Sequence, residues 1–271
     1  MTGMRARRVI AAASVAALGV LSLAACGKSA PNIAAYVGDT TYSLTRVDGI
    51  YDEVQAQYGE AIQRRAAQEG ATPSPEDLRS KVTRQDVVDL LVSLDLGKRV
   101  AAAKNLQVPD VISPQQLEQT LEVPASTEYA KLWGEWIDLL QVLNQQLPPA
   151  ELSDESLMAV YGALQDVDAI SGGMSIADVR QAFGDGGFVR SATALSTALE
   201  EEAGRVDVSI NPRFRNVGVP SMVNKGQTPI FYSLPYINEA GPVTDISTLE
   251  PLPSSDAPSA EGPAPDEGTA S

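Results

Sequence analysis

Thr83-Arg84-Gln85-Asp86-Val87-Val88-Asp89-Leu90-Leu91-Val92 opens as a helix start and runs on as an apolar stretch. The Thr83 hydroxyl can accept from the amide of the third helical residue while the Asp86 carboxylate reaches back to the Thr83 N–H, the reciprocal pair of a capping box. Leu94, Leu96 and Val100 extend the run, so apolar side chains fall at nearly every azimuth of a 3.6-residue turn. A helix apolar on all sides is buried on all sides. Residues 84 to about 104 are therefore expected to be the central pillar of the fold, with Asn105 as a left-handed residue at its end and Leu106 as the accompanying apolar contact.

On the N-terminal side of this pillar, Ile33-Ala34-Ala35-Tyr36-Val37 reads as a strand, Gly38-Asp39 as a turn, and Thr40 to Leu44 as a second extended run. Thr45-Arg46-Val47-Asp48 is a second capping-box pattern, and the helix it predicts carries Val47, Ile50, Tyr51, Val54, Tyr58, Ala61 and Ile62 on one face. Ala71-Thr72-Pro73-Ser74-Pro75 interrupts it. Beyond the pillar, Ser113-Pro114 predicts a short helix to about Glu122. Ser126 is the expected cap of a helix to about Gln146, with Tyr129, Leu132, Trp133, Trp136, Ile137, Leu140 and Leu143 on its apolar side. Pro148-Pro149 stops it. Ser153 and Ser175 cap two further helices, and Phe188 to Ala203 is a last one, with Gly204 just past its end.

Val206, Val208 and Ile210 alternate with polar residues, the period of a half-buried strand. Two strands so far apart in sequence, with helices between them, predict pairing of residues 33–37 with 206–211 in one small sheet that ties the ends of the body together. The fold class is accordingly mainly α, of α+β type. Pro220, Pro229 and Pro235 argue against regular sheet in 215–238, which is read as an irregular extension. From Glu239 to Ser271 there are seven acids, six prolines and no base, the composition of a disordered acidic tail. The expected organisation is a leader over 1–26, a tether over 27–32, a helical domain over 33–214, the extension, and the tail over 239–271.

The leader has basic residues Arg5, Arg7 and Arg8, an apolar run from Val9, and small residues before the single cysteine of the chain: Leu23-Ala24-Ala25-Cys26. That order is a secretory signal, and its end resembles a bacterial lipobox. The resemblance implies cleavage between Ala25 and Cys26 and a diacylglyceryl group on the Cys26 thiol. The protein is then secreted through the cytoplasmic membrane and lipid-anchored to its outer face.

Composition removes several function classes. The chain has 271 residues and a net charge of −15; without the three arginines of the leader, 17 basic residues face 35 acidic ones, a charge of −18. Such an excess repels phosphate backbones and excludes nucleic acid as a partner. With no histidine and one cysteine, His-based triads, His-ligated zinc, thiolate metal sites and redox pairs have no residues to build them. The expectation is no enzyme, no metal and no cofactor.

Tyr36-Val37-Gly38-Asp39-Thr40 followed by Leu44-Thr45-Arg46-Val47-Asp48 is similar to the opening of SurA-type and PrsA-type chaperone domains. Val82 to Leu91 resembles the next helix of that family, and Asn105-Leu106-Gln107-Val108-Pro109-Asp110 its exit. The strand from Arg205 ending in Asn211-Pro212-Arg213-Phe214 is similar, more weakly, to the closing strand of lipoproteins carrying the domain. The resemblance covers roughly 33–122 and 188–214. It implies a helical SurA-N-like domain that holds unfolded or nascent exported polypeptides. Relatives often add a parvulin prolyl isomerase domain whose site uses histidines. This chain has none, so only the chaperone lobe is implied.

Trp133 and Trp136, three apart on one helix, fit core packing; the alternative is an exposed apolar cleft for client chains. With Tyr51, Val54 and Tyr58 they are the candidate client-binding residues. Asp166-Val167-Asp168 imitates a calcium loop, but Ile170 and Ala177 fall where ligands are needed. Gly184-Asp185-Gly186-Gly187 lacks the lysine of a P-loop and reads as a turn. Two functions follow: a non-enzymatic chaperone of the envelope, or a scaffolding lipoprotein that binds a ligand or an envelope partner.

Overall fold

The computed structural model describes residues 31–214, 216–225 and 228–237. The leader with Ala25 and Cys26, the start of the tether and the acidic tail lie outside them. Within the described residues the chain is mainly helical, with seven helices and two small antiparallel sheets.

Strands β1 (Ile33–Val37) and β2 (Thr40–Ser43) form a hairpin around Gly38, whose φ of +55° is the left-handed conformation that glycine adopts without cost. Helix α1 (Leu44–Glu69) is capped by Ser43 rather than by Thr45: its Oγ accepts from the Arg46 N–H at 3.1 Å. Ser43 ends β2 in the extended conformation that an N-cap requires, and the Leu44 N–H is taken by the Asn32 carbonyl at 2.8 Å. The helix ends on left-handed Gly70. Residues 71–82 then fold back along it, held by the Gln55 amide, which donates to the carbonyls of Ser80 and Val82 and accepts from the Ser80 N–H.

Helix α2 (Arg84–Ala103) has the full Thr83–Asp86 capping box, and buried residues occur around its whole circumference. Its end is a Schellman motif: Leu106 N–H donates to Ala101 O and Asn105 N–H to Ala102 O, with Asn105 at φ 53°. Helices α3 (Pro114–Leu121), α4 (Glu128–Gln146), α5 (Asp154–Asp166), α6 (Ile176–Phe183) and α7 (Gly187–Val206) follow. Ser113, Ser153 and Ser175 cap α3, α5 and α6 as expected. The cap of α4 is Thr127, one residue beyond Ser126, because Ser126 turns its hydroxyl to Gln57 on α1. Helix α7 continues through Gly204 instead of ending there.

Strand β3 (Val208–Ile210) pairs antiparallel with β1, Val37 opposite Val208 and Ala35 opposite Ile210, giving the order β2-β1-β3. The expected junction of the chain ends therefore forms, shortened by the overrun of α7. Asn211 locks it: its side-chain amide donates to Ile33 O at 2.6 Å and its N–H to Ala34 O at 2.8 Å.

The irregular extension expected after residue 214 is instead a long ribbon, β4 (Val217–Lys225) paired with β5 (Thr228–Ile237). The three prolines fit because Gly218–Pro235, Pro220–Ser233 and Asn224–Pro229 are alternate pairs of one register. In such pairs the backbone groups point out of the ribbon, so the missing N–H removes no cross-strand bond. The ribbon packs on α2, α5 and α7, and its Val217, Val219, Tyr232, Leu234 and Tyr236 join the core.

At the crossing of α2 and α4, a Cβ on Gly97 would lie 2.8 Å from Leu139 Cδ2 and 3.2 Å from Trp136 Cζ3. Gly97→Ala is expected to destabilise the fold by about 1–3 kcal/mol by overpacking, although alanine is the better helix former. Leu91→Ala is expected to cost about 2–5 kcal/mol. Both are read from the midpoints of urea unfolding curves. A Leu91→Ala loss under about 0.5 kcal/mol would deny α2 its central place.

Candidate functional site

The candidate client-binding residues separate into two groups. Tyr51, Val54 and Tyr58 lie on α1, where Val54 is buried and the two tyrosines are half-buried. The Arg84 guanidinium stacks 4.0 Å above the Tyr51 ring while pairing with Asp48 and Asp52. Trp133 and Trp136 lie on α4 and are 4% and 0% exposed. The open cleft suggested for them is thus closed over by the chain itself. Trp133 stacks edge-on against Phe231 of β5 at 5.3 Å and against Tyr129 at 6.5 Å.

The ribbon is received along its β4 edge by side chains of two helices. Gly218 and Pro220 turn their outward backbone groups toward α2 and α4. The Trp136 indole N–H donates to Pro220 O at 2.7 Å, and the Ser93 hydroxyl donates to Gly218 O at 3.2 Å. The Gly218 N–H donates to the Asp89 carboxylate. Asp89 also accepts from Ser233 Oγ of β5 and from the Gln85 amide, each at 2.7 Å. Ser93 Oγ lies 3.1 Å from the Tyr236 hydroxyl, within hydrogen-bond distance. Gly218 is obligatory in this seat, since a Cβ there would lie 2.0 Å from Ser233 Oγ and 3.1 Å from the Leu234 backbone.

Asp89 is 3% exposed, and burial pushes its carboxyl up to about 7 despite the hydrogen bonds from Ser233, Gln85 and Gly218; the neighbouring Asp86 adds to the rise. The hydroxyls of Tyr129 and Tyr236 are raised well above the ordinary phenol range, chiefly by burial. The Trp133 indole N–H is buried without an aligned acceptor.

These polar partners were not singled out from the sequence. A usable signal was present: Asp89 and Ser93 interrupt the apolar run from Val87 to Leu94 at spacing i, i+4, so both fall on one face and need buried partners. Gly218-Val219-Pro220 held the complement, a residue without a side chain and one without an N–H.

Elsewhere, two adjoining clefts of about 640 and 740 Å³ lie between the end of α5 and α6, lined by polar residues including Gln165, Asp168, Ser171 and Asp178 together with the apolar Ile170 and Met174. The loop between these helices is organised by the Tyr161 hydroxyl, which donates to Ser171 O and accepts from Met174 N–H. Large apolar side chains stand exposed singly, as at Val111 and Met222. Among the described residues no group of acids, His or Cys is placed to hold a metal ion, and no helix is long and apolar enough to cross a membrane. Set beside models of known protein families, curated proteins and solved structures, the chain matches none.

Proposed function

We propose that this chain is an extracytoplasmic lipoprotein, anchored to the outer face of the cytoplasmic membrane through a diacylglyceryl group on Cys26, that acts as a non-enzymatic chaperone for secreted or envelope proteins. The observation that carries this reading is the seam on α2 and α4, which holds an extended segment by its backbone carbonyls and its aromatic side chains. Every polypeptide offers backbone carbonyls, so such a seam could take an apolar client segment in the ribbon's place through groups that carry little sequence information. The acidic charge would keep a complex with an apolar client in solution. Basic and apolar clients are favoured, and salt weakens their capture.

The second reading is a scaffolding lipoprotein that binds a ligand or one envelope partner. It is favoured by the filled state of the seam and by the polar clefts beside α6.

Two outcomes are expected. Cys26→Ser should abolish incorporation of labelled palmitate and leave the protein unprocessed or released, since serine lacks the thiol that takes the diacylglyceryl group and with it the acyl chains that stable anchoring needs. Diluting a denatured model enzyme into an excess of the protein should lower its light scattering, with no catalysis of prolyl isomerisation in a peptide assay. Unchanged scattering at every salt concentration would favour the scaffolding reading, and isomerase activity would overturn both.

A further inference from the structure

We propose that β4 and β5 form a pH-sensitive clasp over Trp133 and Trp136, latched by Asp89 and loosened as that side chain loses its proton. Asp89, like Ser93 one turn further on, touches both strands at once, Gly218 on β4 and Ser233 on β5, and of the two it is the one that can carry a charge. The groups facing it are Asp86 and Gln85 on α2, Tyr129 on α4, and Ser233 and Tyr236 on β5, with only the Gly218 backbone from β4. None of them is a cation. The nearby guanidinium of Arg84 is directed outward, to Asp48 and the Tyr51 ring. Among the described residues an ionised Asp89 would keep its three donors yet lack a counter-charge, and burial outweighs those bonds. The protonated acid fits the same place, its O–H directed at Ser233 Oγ, 2.7 Å away.

The sign follows from linkage. In the closed state the carboxyl is raised to about 7. In an open state, exposed to water, it returns to about 3.9. The closed state therefore holds the extra proton between these values. Opening is rarest below pH about 4, becomes up to about tenfold more frequent per pH unit toward about 7, and levels off above. The apolar seat of Val219, Leu234 and Tyr236 sets how far uphill opening lies; Asp89 sets how that changes with pH. Asn211 fastens β3 to β1 ahead of the ribbon, so β4 and β5 can leave the seam without dismantling the three-stranded sheet.

Both tryptophans of the chain lie under the clasp, so indole fluorescence reports on it. The test uses the full chain between pH about 4.5 and about 8, following acrylamide quenching and amide exchange at Val219 and Leu234, corrected for intrinsic rates and compared with α2. Global unfolding exposes Asp89 too, so both sets of amides gain the slope and the clasp is read from their offset. The ribbon should exchange faster than α2 at every pH, its protection falling by up to about tenfold per pH unit to pH about 7 while quenching rises, and Asp89→Asn should abolish that slope. Equal protection of ribbon and α2 at every pH, or Asp89→Asn keeping the wild-type slope, would overturn the clasp. Should Asp89→Asn not fold, carbon-13 titration of the wild-type Asp89 carboxyl decides, with a midpoint in the ordinary carboxylate range counting against it. On the chaperone reading, on which this consequence rests, an opened clasp frees the seam for a client; a clasp that opens with pH while aggregation is never suppressed overturns that reading and leaves the clasp standing.

Discussion

A helix with apolar residues around its whole circumference must be covered on every side, and α2 makes that demand of the rest of the chain. Helices α1, α4 and α7 and strand β1 cover most of it. The remaining side presents Asp89 and Ser93, which a further apolar helix could not satisfy. A strand edge can, because it carries unpaired N–H and C=O groups in the alternation that two polar side chains one turn apart can meet. Each surface would be costly to bury alone: β4 would leave backbone groups without partners, and α2 a carboxyl and a hydroxyl. Together, with the Trp136 indole on Pro220, they are nearly self-satisfying.

The same alternation explains how a ribbon with three prolines persists. Pro220 keeps its carbonyl for Trp136 and has no N–H to waste. Pro229 and Pro235 sit on β5 at positions whose groups point away from β4. There they remove donors from an edge that could otherwise recruit another strand. The prolines serve as edge residues, consistent with the confinement of proline to edge strands.

The helical body was legible because its signals are local. Thr83, Ser113, Ser153 and Ser175 each cap the helix predicted for them, and Asn105 adopts the left-handed conformation expected of it. The displaced boundaries have tertiary causes. Ser43 takes the cap from Thr45 because it ends a paired strand, and Ser126 gives up the cap to bond Gln57. The ribbon was illegible because its proof lies in partners far away in sequence: Asp89 is 144 residues from Ser233, and Ser93 125 from Gly218. Trp133 and Trp136 fit core packing by their spacing; what the sequence did not disclose was that a strand, rather than a helix or a client, completes that core.

The absence of histidine bears on the ribbon as well as on catalysis. Histidine is the side chain whose ordinary titration falls between pH about 5 and 8. A chain without it can change side-chain charge in that range only through a group displaced by its surroundings. Asp89 is so displaced, and the cause is structural: among the described residues the strand edge offers it donors but no cation, so the carboxyl is solvated by dipoles rather than by a counter-charge. Replacing Gln85 or Ser233 with a base would bring the acid back toward its ordinary range and take the pH dependence out of the ribbon's opening. The neutral partners are what couple the seat of the ribbon to the proton.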